Sequence, residues 1–255
     1  QVSNSLADAN NVATIHRYAG TLDSATMLLL SLDNNVTDTS PTTPHTANIT
    51  NTNVTFSTIK KFGTHAGVWN GTTSKLTIGD DADFNFSGGT WTFDAWIKHD
   101  NLGTNEPLYY QETDAANYFR IYLNMITAST GYLKLEIKAT TVVVTMSSSL
   151  LTFDGSFHHI EVGESGDNYY MFFDGALVGY LSDADRPANY TGTVYIGNDG
   201  STNWFKGSLD ELRISNTLRH STAFEPATQA YSASNLLGDL DSRVTYVGVM
   251  RADAA

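Results

Sequence analysis

Residues 90–98 read TWTFDAWIK, and their alternation decides the fold. Counting by two puts Trp91, Phe93, Ala95 and Ile97 on one face and Thr92, Asp94, Trp96 and Lys98 on the other, the pattern of a β-strand with one side in a core. The segments downstream repeat it. NYFRIYLNM (117–125) and YLKLEIK (132–138) predict neighbouring strands joined by a turn at 129–131, and VVVTM (142–146) predicts another. HHIEVG (158–163) leads through polar ESGD into NYYMFFDGALVGYL (168–181), where Asp174–Gly175 between apolar flanks predicts a two-residue hairpin turn. VYIGN (194–198), SLDELRIS (208–215) and the apolar run MLLLSL (27–32) complete the set. Short strands at regular spacing, with no amphipathic helix between them, predict an all-β fold: an antiparallel two-sheet jelly-roll sandwich with N- and C-terminal arms.

The arms are the stretches without this rhythm. Residues 1–24 are polar and weakly patterned, and 227–255 lose the strand-and-turn alternation apart from two short apolar pieces, LLGDL and VTYVGVM. The expected division is therefore an arm at 1–24, a domain at 25–226 and an arm at 227–255. The chain opens on Gln1 instead of Met, as expected of a processed or truncated chain.

Composition narrows the function classes. With 14 Lys and Arg against 27 Asp and Glu, the net charge is −13. Such a chain is repelled by phosphate backbones and anionic lipid heads, so neither nucleic acid nor membrane is an expected partner. Apolar residues make up 41% of the 255, enough for a sizeable core, yet no run approaches the roughly 20 needed to span a bilayer. Cysteine is absent, which removes disulfides, thiolate metal sites and cysteine nucleophiles.

Several stretches, in order, resemble the laminin-G-like, concanavalin-A-like jelly-roll superfamily, in the branch found in bacterial surface proteins and phage structural proteins. They are LLLSLDNN (28–35), the run from Gly63 to Lys98, FHHIEV with the hairpin MFFDGALVG (157–179), and VYIGNDGSTNWFKGSLDELRISNTLRHSTAFEP (194–226). The last block is the most specific, and its ending with Arg219, Phe224 and Pro226 is similar to the phage versions. The resemblance implies a non-enzymatic virion-surface structural protein of decoration or fibre type. Its arms would dock on capsid or tail proteins or form a homo-oligomer, and adhesion to surface glycans would accompany assembly. The alternative is a secreted, extracellular carbohydrate-binding module.

Enzymes also occur on this fold. Their glucanase branch carries a Glu-x-Asp-x-(x)-Glu strand whose glutamates share a face. No such spacing occurs here: Glu112 and Asp114 are followed by Ala115, Ala116 and Asn117, and adjacent Asp210 and Glu211 would point to opposite faces of a regular strand. His158 and His159 likewise diverge, and match a packing segment of the family. No His-x-x-x-His or nucleophile elbow is present, so no catalytic residue is assigned.

Binding residues remain to be weighed. The resemblance implies a structural calcium ion joining the opening strand to the last through Asp33 and Asp210. The competing reading has Asp33 start a turn and Asp210 pair with Arg213 or a backbone amide. Asp80, Asp81 and Asp83 read as a solvated acidic turn. For sugars, the visible aromatics are Trp204 and Tyr109–Tyr110. Phe205 is expected in the core, which leaves Trp204 as the ligand-binding candidate.

Overall fold

The computed structural model describes residues 24–41, 44–100, 103 and 105–231. Ser24–Glu225 forms one compact unit. Apart from Ser24 and 227–231, both expected arms lie outside the described residues.

Among the described residues, sixteen strands build two antiparallel sheets. In chain order they are β1 (Thr26–Leu30), β2 (Ile49–Thr52), β3 (Thr55–Ser57), β4 (Ala66–Asn70), β5 (Lys75–Ile78), β6 (Thr90–His99), β7 (Glu106–Asp114) and β8 (Asn117–Met125). They continue with β9 (Thr130–Ala139), β10 (Thr141–Ser147), β11 (Leu151–Thr152), β12 (His158–Ser165), β13 (Asn168–Phe173), β14 (Ala176–Ser182), β15 (Val194–Ile196) and β16 (Lys206–Ser215). The first sheet runs β14-β13-β12-β6-β16-β4-β3, with β1 also on β16; the second runs β10-β9-β8-β7-β15-β5-β2, with β11 also on β9. This is the expected jelly-roll sandwich.

Alternation places the core between the sheets. Trp91, Phe93, Ala95 and Ile97 of β6 face Phe119, Ile121, Leu123 and Met125 of β8 and Leu133, Leu135 and Ile137 of β9 in one apolar cluster. Trp91 and Phe119 meet edge to face at 5.1 Å. Burying a side chain of this size contributes roughly 1.5–3 kcal/mol. The predicted hairpin at Asp174–Gly175 joins β13 to β14 with positive φ at both residues (47° and 76°), the geometry of a type I′ turn.

One strand departs from simple alternation. Along β16, Asp210 pairs with Trp96 and Arg213 with Asp94, so Glu211 and Leu212 together oppose Ala95. Glu211 is the bulged residue, at φ 49°. The extra residue lets Leu209, Leu212 and Ile214 all reach the core, which a regular period of two forbids. The opposite-face expectation for Asp210 and Glu211 assumed a regular strand, and the bulge replaces that geometry.

Candidate functional site

The outer face of the first sheet is filled and covered. Asp94, His159, Glu161 and Arg213 project there and are buried. Arg213 Nε donates to Asp94 Oδ2 at 2.9 Å, and His220 Nδ1 lies 2.8 Å from Glu161 Oε2. Burial pushes the Asp94 carboxyl up, but the Arg213 guanidinium and His159 outweigh it and hold it well below the usual range. Two segments seal this face. Lys61 stands 3.7 Å over the Trp96 ring with Phe62 edge-on at 5.6 Å, while Phe224 packs on His159 at 5.7 Å and stacks with His220 at 3.5 Å. Arg213, His220 and Phe224, from the end of the most specific block at 194–226, thus serve structure. His158 stacks on Phe173 at 4.7 Å and His159 turns to the other side, in packing roles.

The outer face of the second sheet is different. Because Phe119, Ile121 and Leu123 face the core, the interleaved Tyr118, Arg120 and Tyr122 face outward, as do Lys134, Glu136 and Lys138 of β9. Register aligns them into rows across the sheet. Tyr195 pairs with Tyr110, Tyr110 with Arg120, Arg120 with Glu136 and Glu136 with Thr145. On one side of that row lies Glu112–Tyr118–Lys138, and on the other Tyr122–Lys134.

The side chains interlock. The Arg120 guanidinium carbon sits 4.3 Å from the Tyr122 ring centre and 5.5 Å from that of Tyr118, and Arg120 Nη2 donates to Glu136 Oε2 at 2.8 Å. Tyr118 donates its hydroxyl proton to Glu136, and Tyr110 donates to Glu112 Oε2 at 2.6 Å. Burial and then the Glu136 acceptor push the Tyr118 phenol up to about 12, so it stays protonated and donating. Tyr110 lies 5.8 Å from Tyr118 and 6.4 Å from Tyr195, centre to centre. At the border, the Lys75 ammonium is 5.3 Å from the Tyr195 ring and 5.9 Å from that of Trp204.

The structure therefore puts Trp204 at the margin of this face, held by a bridge to Asn198, with Phe205 fully buried behind it. Of the expected tyrosine pair, Tyr110 is on the face, whereas Tyr109 points into the core and bonds Gln111 at 3.0 Å. The sequence reading missed Tyr118, Arg120, Tyr122, Lys134, Glu136 and Lys138. The signal was there, since the alternate residues Tyr118, Arg120 and Tyr122 of one predicted strand and Lys134, Glu136 and Lys138 of the other are aromatic or charged. Aromatic rings flanked by fixed donors and acceptors are the chemistry that recognises a saccharide, apolar on its C–H face and polar at its hydroxyls.

Asp33 and Asp210 converge on one loop without meeting through a hydrogen bond. Asp33 Oδ1 accepts from the Thr64 amide, from Thr64 Oγ1 at 3.1 Å and from the His65 amide at 2.9 Å, while Asp210 Oδ2 accepts from the Lys61 and Phe62 amides at 2.8 and 2.9 Å. Asp210 takes the backbone amides of the competing reading and leaves Arg213 to Asp94. Its other oxygen, Oδ1, is buried and has no hydrogen-bond partner among the described residues. Burial, with the Asp33 charge adding to it, pushes the Asp210 carboxyl up to about 6. A buried carboxyl whose proton is held more tightly by a neighbouring carboxylate, and which has an orphaned oxygen, belongs to a donor set that fits a hard cation.

Fold and outer face together describe a lectin-type β-sandwich. The chain matches, over residues 70–223, the family described as the concanavalin A-like lectin/glucanases superfamily, and it belongs to that family. No curated protein matches the chain in sequence. Among solved structures, it is similar to Domain 4 of AbnA, a GH43 extracellular arabinanase from Geobacillus stearothermophilus, in complex with arabinotriose. The two are 16% identical with a TM-score of 0.59, covering 75% of this chain and 92% of that one. It is also similar to the binding domain of Paraclostridial Mosquitocidal Protein 1 (15% identity, TM-score 0.60, 76% and 49% covered). A third likeness is to the binding domain of Botulinum Neurotoxin DC in complex with SialylT (13% identity, TM-score 0.55, 76% and 48% covered). The chain thus spans about half the length of these two toxin domains. Among the described residues, no helix is long and apolar enough to cross a membrane.

Proposed function

We propose that this domain is a non-catalytic, extracellular glycan-binding module that docks a saccharide on the outer face of the second sheet. The observation that carries this reading is the continuous row Tyr195–Tyr110–Arg120–Glu136, bordered by Lys75 and Trp204. A likeness to domains solved in complex with arabinotriose and with SialylT supports it. Lys75, Arg120, Lys134 and Lys138 gather on this face against Glu112, Glu136 and Asp199, although the chain as a whole carries −13. That local excess favours a saccharide bearing carboxylate or sulfate. A glycan array probed with the full chain, followed by calorimetry on the best ligand, tests the proposal. Tyr195→Ala and Trp204→Ala are each expected to weaken binding at least tenfold, about 1.4 kcal/mol, with little change in Tm. Failure of the wild-type chain to bind any glycan, or full binding by both variants, overturns it.

Virion-surface assembly, in which the domain would be carried as an adhesion module by phage capsid or tail proteins or sister subunits, rests on the two terminal stretches. Glycan binding by the described domain is compatible with that placement and with secretion alike.

We also propose that calcium binds across Asp33 and Asp210, neutralising the two carboxylates that hold the 60–65 loop. In the ion-free domain, Asp210 binds its proton more tightly when folded than when unfolded, where it titrates near 3.8. The unfolded chain then releases that proton first, so this residue's contribution to stability falls as the pH rises from about 4 to about 6 and stays low above that. Asp33 and Asp174 are shifted the other way, so the effect is read as a difference between proteins. In chelator at pH 7, Asp210→Asn is expected to exceed wild type by of order 2–3 kcal/mol, a gap that closes towards pH 4. Calcium should raise the Tm of wild type and leave Asp210→Asn unmoved. An equal calcium response in both proteins would sink the assignment.

A further inference from the structure

We infer that a divalent transition-metal ion, zinc or manganese, binds between His45, Asp81 and Asp83, clamping the β1–β2 connection to the β5–β6 connection. One ligand atom from each residue lies within 4.8 Å of the others. His45 Nε2 is 3.8 Å from Asp81 Oδ1 and 3.6 Å from Asp83 Oδ2. Zinc–ligand bonds of about 2.0–2.1 Å at tetrahedral angles hold ligand atoms roughly 3.3 Å apart, so small side-chain adjustments close the site.

The acidic pair alone would be an ordinary solvated turn. What distinguishes it is the imidazole. His45 is 3% exposed, and its Nε2 is buried without a hydrogen-bond partner among the described residues. The ring is held from behind. His45 Nδ1 lies 3.0 Å from Asp38 Oδ2, which also accepts from the His45 amide at 2.6 Å and from Ser40 Oγ at 3.0 Å. Asp38 Oδ1 accepts from the Leu29 and Ser40 amides, both at 2.9 Å. Asp38 is therefore an immobile acceptor that fixes the proton on Nδ1 and turns the Nε2 lone pair towards the two carboxylates. That is the carboxylate–histidine arrangement that orients a metal-binding imidazole. A lone pair facing two carboxylates is repulsive unless a metal ion or a proton lies between them, and these are the two outcomes that the experiment below separates.

The other side is equally placed. Asp81 caps the 3-10 turn Ala82–Phe84 by accepting from the Asp83 amide at 3.1 Å, and buried Phe84 packs 5.0 Å from the His45 ring. One nitrogen and two carboxylate oxygens suit zinc or manganese, whereas calcium takes oxygen ligands throughout. The site is thus chemically distinct from Asp33 and Asp210.

Calorimetric titration of zinc chloride into the chelator-stripped full chain, with calcium saturating so that the all-oxygen site is filled, tests this. Wild type should take up one zinc per chain, and Asp83→Asn and Asp81→Asn should each weaken uptake at least tenfold. Both are partly exposed side chains whose asparagines preserve the turn, and an unchanged Tm without metal confirms folding. Zinc X-ray absorption should report a single imidazole in the coordination shell. Stoichiometric uptake that both variants retain, an absorption spectrum without imidazole, or no uptake by wild type, as a protonated His45 between the acids would give, overturns the inference.

Discussion

Replacing Arg213 with methionine is expected to destabilise the domain by about 3–5 kcal/mol and lower its Tm by roughly 10 °C. The guanidinium is held at Asp94 on a face where both side chains are buried, 6% and 0% exposed. Methionine keeps much of the volume and removes the charge, so Asp94 is left ionised in a dry environment, with His159 Nε2 at 3.7 Å as a remaining partner. Most of the cost is that stranded charge, since replacing both members of a buried pair by uncharged groups is often close to neutral. The double variant Asp94→Asn/Arg213→Met should therefore recover much of the loss. Urea denaturation of wild type, the two single variants and the double variant measures the coupling. A loss below about 1 kcal/mol in Arg213→Met would mean that solvent reaches the pair.

The second large effect is expected from Gly197→Ala, at about 2–5 kcal/mol. Gly197 follows β15 with φ +83°, a left-handed conformation that costs an L-residue roughly 1–2 kcal/mol. A Cβ there would also overlap Trp69 Cδ1 and Nε1. Trp69 cannot retreat, because it is 1% exposed and its Nε1 donates to Ile196 O at 3.1 Å. Overpacking a rigid site of this kind adds about 1–3 kcal/mol. Since β15 carries Tyr195, the change should weaken glycan binding as well as lower the urea midpoint. A variant as stable as wild type would show that Trp69 moves freely.

The two sheet faces divide the labour of the sandwich. The first sheet spends its outer face on buried ion pairs under the 58–65 and 216–225 segments, which makes it a rigid back. The second keeps its aromatic and charged side chains interlocked, Tyr110 and Tyr122 buried and Tyr118, Arg120, Glu136 and Tyr195 partly exposed, so they meet a ligand with little loss of rotamer freedom.

How much of this was legible in sequence follows from the range of each cause. Strands such as 90–98, 117–125 and 208–215 were legible because alternation is local: each residue's face is set by its neighbours two positions away. Short edge strands such as β2 and β3 were not, since Ile49–Thr52 and Thr55–Ser57 are mostly polar and become strands by pairing with β5 and β4. Composition alone excluded cysteine chemistry and disfavoured phosphate-rich partners. Trp204 and Tyr110 could be singled out as aromatic letters, but not Tyr109 as a core residue, because its place depends on the register shift between Pro107 and Tyr109.

Tertiary structure alone decided which residues meet. Arg120 reaches Glu136 and Tyr195 reaches Tyr110 through cross-strand register, a property of the paired sheet that neither segment carries by itself. His45 faces Asp81 and Asp83 for a similar reason: β2 pairs with β5, Ile49 against Ile78, which draws the connections at their ends together. Alternation is written along the chain, whereas a binding face or a metal site is a coincidence of distant side chains in space. The sequence by itself determined the sandwich and its apolar side, and long-range pairing determined what its polar side can hold.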